Sequence, residues 1–312
     1  MADHHDGSRA VILAAFLANL GIAVAKVVGF VLTGAASMLA EGVHSLADTA
    51  NQGLLLLGRS RAARPASPEH PFGYGRERYF WAFVVALVIF SVGSLFALAE
   101  GVDKLLHPHR LESVAADVVI LVVAAVFETF SLRTAVRESR ESKGDLSWWA
   151  FVRRSKTPEM PVVLLEDSGA LVGLAFALGG VALAEVTGQP RFDAVGSIAI
   201  GALLGVIAVT LAVEMKSLLI GESASPAITS RIRREMEGAT AVRRLVHLRT
   251  EHLGPDELLV AAKLEFEPGL DTTGLAAAID DVEAAVRAAV PTARLIYLEP
   301  GLPGRRQSSS PA

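Results

Sequence analysis

Apolar residues arrive in six long runs separated by short charged stretches, the alternation expected of a chain that crosses a membrane repeatedly. The runs lie near Val11–Leu32, Ala36–Leu57, Phe80–Ala99, Val114–Ser131, Val162–Ala184 and Val195–Val213. Each is close to the ~20 residues a helix needs to span hydrocarbon. Beyond the sixth run the periodicity changes. Ile228–Glu237 is amphipathic at helical spacing, Arg244–His252 and Glu257–Glu267 alternate as strands around Gly254-Pro255-Asp256, Leu275–Ala289 is again helical, and Ala293–Leu298 reads as a last strand. That order, αββαβ, predicts two helices on one face of a small sheet. The expected organisation is therefore an α-helical membrane domain of six transmembrane helices over residues 1–222, a small α+β domain over 223–303, and a disordered tail over 304–312, with Ser223–Pro226 as a hinge.

Composition sharpens this in three respects. Of 312 residues, 52% are hydrophobic and 20% charged, and the mean hydropathy is +0.44, so a lipid bilayer is the expected surrounding. There is no cysteine, which removes disulfides and thiolate metal sites and leaves histidine, carboxylates, amides or water as metal ligands. A net charge of -4 gives no reason to expect a nucleic-acid partner. Cations gather in alternate loops: Arg59, Arg61, Arg64, Arg76 and Arg78 after the second run, then Arg133, Arg137, Arg140, Lys143, Arg153, Arg154 and Lys156 after the fourth. The intervening loops hold only Lys104 and Arg110, and Arg191. By the positive-inside rule both termini are expected in the cytoplasm, and the membrane expected is the plasma (inner) membrane. The first run is long for a signal-peptide core and no cleavage site follows it, so it reads as a retained helix. Gly144–Thr157, with Trp148 and Trp149 beside Arg153 and Arg154, suits a helix lying at the membrane interface.

Polar residues inside the apolar runs are where chemistry is expected, because an ionisable group in a spanning helix is costly and faces the bundle interior. His44 and Asp48 stand four residues apart, on one helix face and about 6 Å apart along its axis. They can share one metal ion, or simply hydrogen-bond to another helix. In the fifth run Glu166 and Asp167 are adjacent, so at most one aims squarely at the second helix. Asp167 packed against His44 and Asp48 would make a site with three protein ligands and an open position, the form expected where an ion must be released. Other polar candidates are Asn19 and Lys26, Glu41 and Asn51, Glu100, Glu128, Glu214 and Lys216. Lys26 with Glu128 reads as a structural pair, and Gly201-Ala-Leu-Leu-Gly205 as a close-packing motif that carries little weight alone. Arg76 reads as a solvated surface residue or as a partner of Glu222.

These features together resemble the cation diffusion facilitators, divalent-metal/proton antiporters of the zinc-transporter type. The resemblance rests on six helices, His44-Ser-Leu-Ala-Asp48, the loop Phe72-Gly73-Tyr74-Gly75-Arg76, the acidic fifth helix, and an αββαβ domain of metallochaperone-like fold. It implies a secondary transporter with no enzyme activity and no cofactor, forming a homodimer that exports Zn2+, or Mn2+, Fe2+ or Co2+, against inward protons. The metal residues it implies are His44, Asp48, Asp167 and Glu166. Most members carry a histidine or aspartate four residues before the fifth-helix aspartate, where this chain has Val163. The Glu166-Asp167 form looks like the branch that includes the mitochondrial and nuclear-associated zinc transporters of animals, and Glu166, Asn51 or a water is left to complete the site. The family's secondary sites mostly do not carry over. His70 matches a ligand, but Tyr74 and Ser67 stand where a histidine and an aspartate would be. Val246, Lys263, Tyr297 and Glu299 fall on ligand positions of the soluble domain, so no tight zinc binding is expected there. Outside the family, a non-transporting membrane regulator and an intramembrane aspartyl protease using Asp48 and Asp167 are the alternatives, although the Gly-x-Gly-Asp context of such proteases is missing.

Overall fold

In the computed structural model of the protein, residues 36–108 and 114–301 are described, with seven isolated positions between 16 and 31; the side chains of residues 36–45, 47, 48, 89, 116 and 117 are not. The chain divides into two compact units, Met1–Arg64 with Glu77–Lys216, and Pro65–Arg76 with Ser217–Ala312.

The first unit is helical. Its elements are α1 (Ala36–Ala62), α2 (Glu77–Leu106, with a π-helical stretch at Val85–Phe90), α3 (Val114–Lys143), α4 (Trp148–Arg154), α5 (Glu159–Thr187) and α6 (Arg191–Ile220), the last turn of which enters the second unit. Among the described residues, four helices are long and apolar enough to cross a membrane: α2, α3 from Val118, α5 and α6. The second apolar run forms the 27-residue α1, and the expected helix at Val11–Leu32 lies largely outside the described residues. Each end has a local cause. α3 runs twelve residues past the expected Ser131, because nothing before Gly144 breaks it; Gly144 then takes a φ of 52° and ends the helix. α5 starts directly after Pro158, whose fixed φ suits a helix start, and stops at Gly188 with φ 67°. The expected interfacial segment shortens to α4, seven residues capped by Ser147 Oγ, which accepts from the Ala150 N–H at 3.2 Å.

The membrane helices meet through glycine. A Cβ on Gly180 would stand 3.0 Å from the Phe192 carbonyl oxygen, and one on Gly196 would stand 2.9 Å from that of Phe176, so the α5 and α6 backbones touch. The Gly201–Gly205 motif, given little weight above, is used: a Cβ on Gly201 would lie 2.8 Å from the Leu98 nitrogen of α2. Beside it, Ser94 Oγ donates to the Gly201 carbonyl at 2.7 Å. Without a hydrophobic drive between helices in lipid, such close approach supplies the dispersion contacts that hold them. Large apolar side chains point outward instead, Phe96, Phe130 and Val126 being 70%, 74% and 64% exposed, as a lipid-facing surface requires.

The second unit contains α7 (Pro226–Gly238), β1 (Val242–Gly254), β2 (Glu257–Phe266), α8 (Thr272–Ala289) and β3 (Leu295–Gly301), the expected αββαβ order. The strands lie side by side as β1-β2-β3, with β1 antiparallel and β3 parallel to β2. Ile232 and Met236 of α7, Val282 and Val286 of α8, and Leu258, Val260 and Leu264 of β2 are fully buried and form its core. Ser225 and Asp271 cap the two helices by accepting from the Ile228 and Gly274 N–H groups. Two charge pairs span neighbouring strands, each with one exposed and one covered member: Arg244 with Glu265 and Lys263 with Glu299, both at 2.6 Å. The Arg244 guanidinium hydrogen-bonded to Glu265 holds that carboxyl below the usual carboxylate range, and Lys263 does the same for Glu299.

The segment Pro65–Arg76 belongs to this second unit. A Cβ on Gly75 would lie 2.6 Å from the Leu253 carbonyl oxygen, so only glycine fits against the β1–β2 turn. Arg76 forms an ion pair with Glu251 and donates to the Leu219 carbonyl at 3.4 Å. Its partners are thus Glu251 and Leu219, while its side chain stays partly solvated, because the docked Gly75 delivers it to the end of β1.

Two outcomes follow. Gly196→Val forces the α5 and α6 backbones apart and is expected to lower the thermal midpoint of the detergent-solubilised protein by several degrees, measured by intrinsic fluorescence. Glu265, with its pKa lowered in the folded state, contributes stability that is present above the unfolded carboxylate value and lost as pH falls through the folded one. Arg244→Ala should therefore shift acid unfolding of the α+β unit to higher pH, read by amide hydrogen exchange along β2.

Candidate functional site

The fifth-run carboxylates are delivered by α5, which turns both into the helix bundle within one turn. Asp167 is 7% exposed, and Ser131 Oγ of α3 donates to its Oδ2 at 3.0 Å. Glu166 is half-buried, and the Nδ2 of Asn51 on α1 donates to its Oε2. Asn51 itself is fully buried. Each carboxylate therefore accepts from a neutral donor on another helix.

Positions 44 and 48 fall in the continuous helix α1, three and seven residues before Asn51 at 51 in the order Asp48, His44. The side chains of His44 and Asp48 lie outside the described residues, as do those of Glu41, Asn19 and Lys26. The expected convergence of His44 and Asp48 on Asp167, and the Lys26 end of the Lys26–Glu128 pair, thus fall outside the description as well. Among the described residues no group of three His, Asp or Glu side chains is placed to hold a metal.

Next to these carboxylates is a cavity of about 140 Å³ between α1, α3 and α5. Gln52 and Arg59 line it from α1, Ser131 and Glu138 from α3, and Glu159 and Val163 from α5. Ser131 belongs to both features, lining the cavity and touching Asp167. Val163, the position where the family pattern has a ligand, presents an apolar surface to the cavity. The acid one turn earlier, Glu159, is committed: Arg78 Nε and Nη2 donate to its two carboxylate oxygens at 2.7 and 2.9 Å, with both residues 9% exposed. A two-point guanidinium–carboxylate pair of this kind is strong only while both charges are present.

The remaining acidic candidates also have partners. Glu100 and Asp193 both accept from Lys104, at 3.1 and 3.0 Å, and Glu214 from Arg153 at 3.0 Å. His70 sits in a turn closed by reciprocal backbone hydrogen bonds with Ser67, at 3.1 and 3.0 Å, and its ring lies 4.5 Å from that of Tyr74. In the sheet, Lys263 and Glu299 are paired with each other and Tyr297 is exposed. Ser131 was missed in the sequence, although a serine closing an apolar run, thirty-six residues before Asp167, was a visible signal.

A bundle of apolar helices with carboxylates and an amide buried between them, followed by a small α+β unit, defines a multi-pass integral membrane protein with an ionisable interior. The cation efflux transmembrane domain matches residues 12–220, and the chain belongs to the cation efflux family, a family of transporters and not of enzymes. Among its relatives, the mitochondrial proton-coupled zinc antiporter SLC30A9 of Xenopus laevis is 36% identical over 78% of this chain and 44% of its own length. Metal tolerance protein C4 of Arabidopsis thaliana is 30% identical over 73% of this chain and 50% of its own. The cation-efflux pump FieF of Klebsiella pneumoniae is 26% identical over 89% and 87%. The chain thus spans half or less of the length of the first two.

Arg78→Ala leaves Glu159 as a buried, uncompensated charge beside the cavity. It is expected to destabilise the bundle by roughly 3 kcal/mol, seen as a lowered thermal midpoint in detergent, whereas Arg78→Ala with Glu159→Leu should recover most of that loss.

Proposed function

We propose that the protein is a proton-coupled exporter of divalent metal, with Zn2+ as the cargo and His44, Asp48 and Asp167 as its ligands, adjoined by Glu166 as the remaining carboxylate. The observation that carries the reading is Asp167: a carboxylate buried at membrane depth, oriented by Ser131, on the helix that also borders the cavity. Family membership and the zinc antiporters among the relatives support the same reading, and the Glu166-Asp167 pair supports a place in their branch.

The mechanism follows from ligand chemistry. Histidine binds metal only through an unprotonated nitrogen and the carboxylates only as anions, so metal and protons compete for one site. At cytoplasmic pH the site loads; on the more acidic side protons displace the ion, with histidine the group most readily titrated near neutrality. The cavity, bordered by Glu138 and Arg59 at the ends of α3 and α1 that carry the basic loops, supplies the cytoplasmic approach. Alternating access then requires one set of helices to rock against the other. The working form is a homodimer in the plasma (inner) membrane with both termini cytoplasmic. One histidine and two carboxylates also suit Mn2+, Fe2+ or Co2+, and affinity order alone does not choose among them.

Reconstituted into proteoliposomes, the wild-type protein is expected to show Zn2+-dependent proton flux that His44→Ala, Asp48→Ala and Asp167→Ala each abolish. Wild-type flux from the two aspartate variants would overturn the assignment, and competition by Mn2+ or Fe2+ in the same vesicles reads the cargo.

A further inference from the structure

The amide of Asn51, bonded to the neighbour of Asp167, is half complete in its hydrogen bonding among the described residues. It is fully buried, yet only its Nδ2 is engaged, donating to Glu166; its Oδ1 accepts no hydrogen bond among the described residues. Buried polar atoms in native proteins are nearly always paired, and in a bilayer no bulk water is available to make up the deficit. The bond to Glu166 also fixes which way round the amide sits, because the reverse orientation would set its oxygen against a carboxylate oxygen. Position 51 lies one turn beyond 48 and two beyond 44 in the unbroken helix α1, so all three fall within about 60° of one face.

We propose that Asn51 is a fourth metal ligand of the transport site, coordinating through Oδ1, with Glu166 acting as the positioning residue that holds the amide by its nitrogen. This rests on the metal site of the preceding section and says what fills its open position. Charge supports the assignment: Asp48 and Asp167 already balance a divalent ion, and a neutral oxygen adds a ligand without adding charge to a buried site. A carbonyl oxygen is also a weak ligand for Zn2+ and a better one for Mn2+, so it permits release and widens the range of ions accepted. The same arrangement gives Val163 a reason to be apolar, since the ligand absent from α5 is supplied from α1.

The test measures equilibrium binding of Zn2+ and Mn2+ to the full chain in detergent, by competition with a chromogenic chelator, for wild type, Asn51→Ala, Asn51→Leu, Asn51→Asp with Glu166→Gln, Glu166→Gln alone and Asp167→Ala. Asn51→Ala is expected to weaken Zn2+ binding roughly tenfold or more, and Mn2+ binding by a larger factor. Asn51→Asp keeps an oxygen ligand but sets a carboxylate against Glu166, so it is made together with Glu166→Gln, and the double variant should bind more tightly than Asn51→Ala. Glu166→Gln, which still accepts from Nδ2, should fall between wild type and Asn51→Ala. If Asn51 only packs or binds water, Asn51→Ala matches wild type for both ions, and the proposal is overturned. Should Asn51→Ala fail to fold, Asn51→Leu, which fills the same volume without an oxygen, decides: weakened binding, more so for Mn2+ than for Zn2+, upholds the assignment, and wild-type binding of both ions overturns it. Unchanged binding by Asp167→Ala would instead sink the metal site itself.

Discussion

A carboxylate between membrane helices has no water to fall back on, and the first unit is built around that constraint. Each buried acid on α5 has a partner from another helix, and the type of partner differs. Glu159 faces a guanidinium, which neutralises it and ties α5 to α2. Asp167 and Glu166 accept from a hydroxyl and an amide, which orient them. A neutral donor leaves a carboxylate attractive to a cation, whereas an arginine does not. The donors met along one helix thus differ in kind, a guanidinium at Glu159 and neutral groups at Glu166 and Asp167.

The bundle also differs from one end of α5 to the other. Near Gly180 the backbone of α5 touches that of α6 with no side chain between them, and α6 is likewise pressed on α2 at Gly201. About 30 Å away along the axis, around Glu159, the helices are separated by side chains and an open cavity. Backbones in contact have few alternative packings, while side chains around a void have several. Relative motion of α1, α3 and α5 is therefore cheapest at the cavity end, with the glycine contacts serving as the fixed end of the lever.

Much of this was legible in the residues. Apolar runs of spanning length, and the switch of period after Ile220, anticipated the described helices from Ala36 onward and the αββαβ order, since burial in lipid or in a small core imposes those periods directly. Helix ends were less legible: α3 outlasts its apolar run because arginine and glutamate are good helix formers and only Gly144 stops it. Asp167 stood out as a charge in an apolar run. What did not show were the partners. Arg78 and Glu159 are eighty-one residues apart, Ser131 and Asp167 thirty-six, and Arg76 and Glu251 one hundred and seventy-five, and no local pattern encodes such pairings. Asn51 was visible only as one of three ways to complete the site, because a buried amide looks the same in sequence whether its oxygen is used or not.

The segment Pro65–Arg76 has a further effect, on the order in which the protein can be made. It leaves the ribosome between α1 and α2, yet its docking partners, Glu251, Leu253 and Gly254, come almost two hundred residues later. At ordinary synthesis rates of about 5–20 residues per second, that gap is about 10–40 s. Throughout it Gly75 and Arg76 wait undocked while later helices enter the bilayer. The second unit, although nearly contiguous at the C-terminal end, thus cannot be completed until the helices before it have been made, so a chain interrupted within α6 lacks the strand against which Gly75 and Arg76 dock.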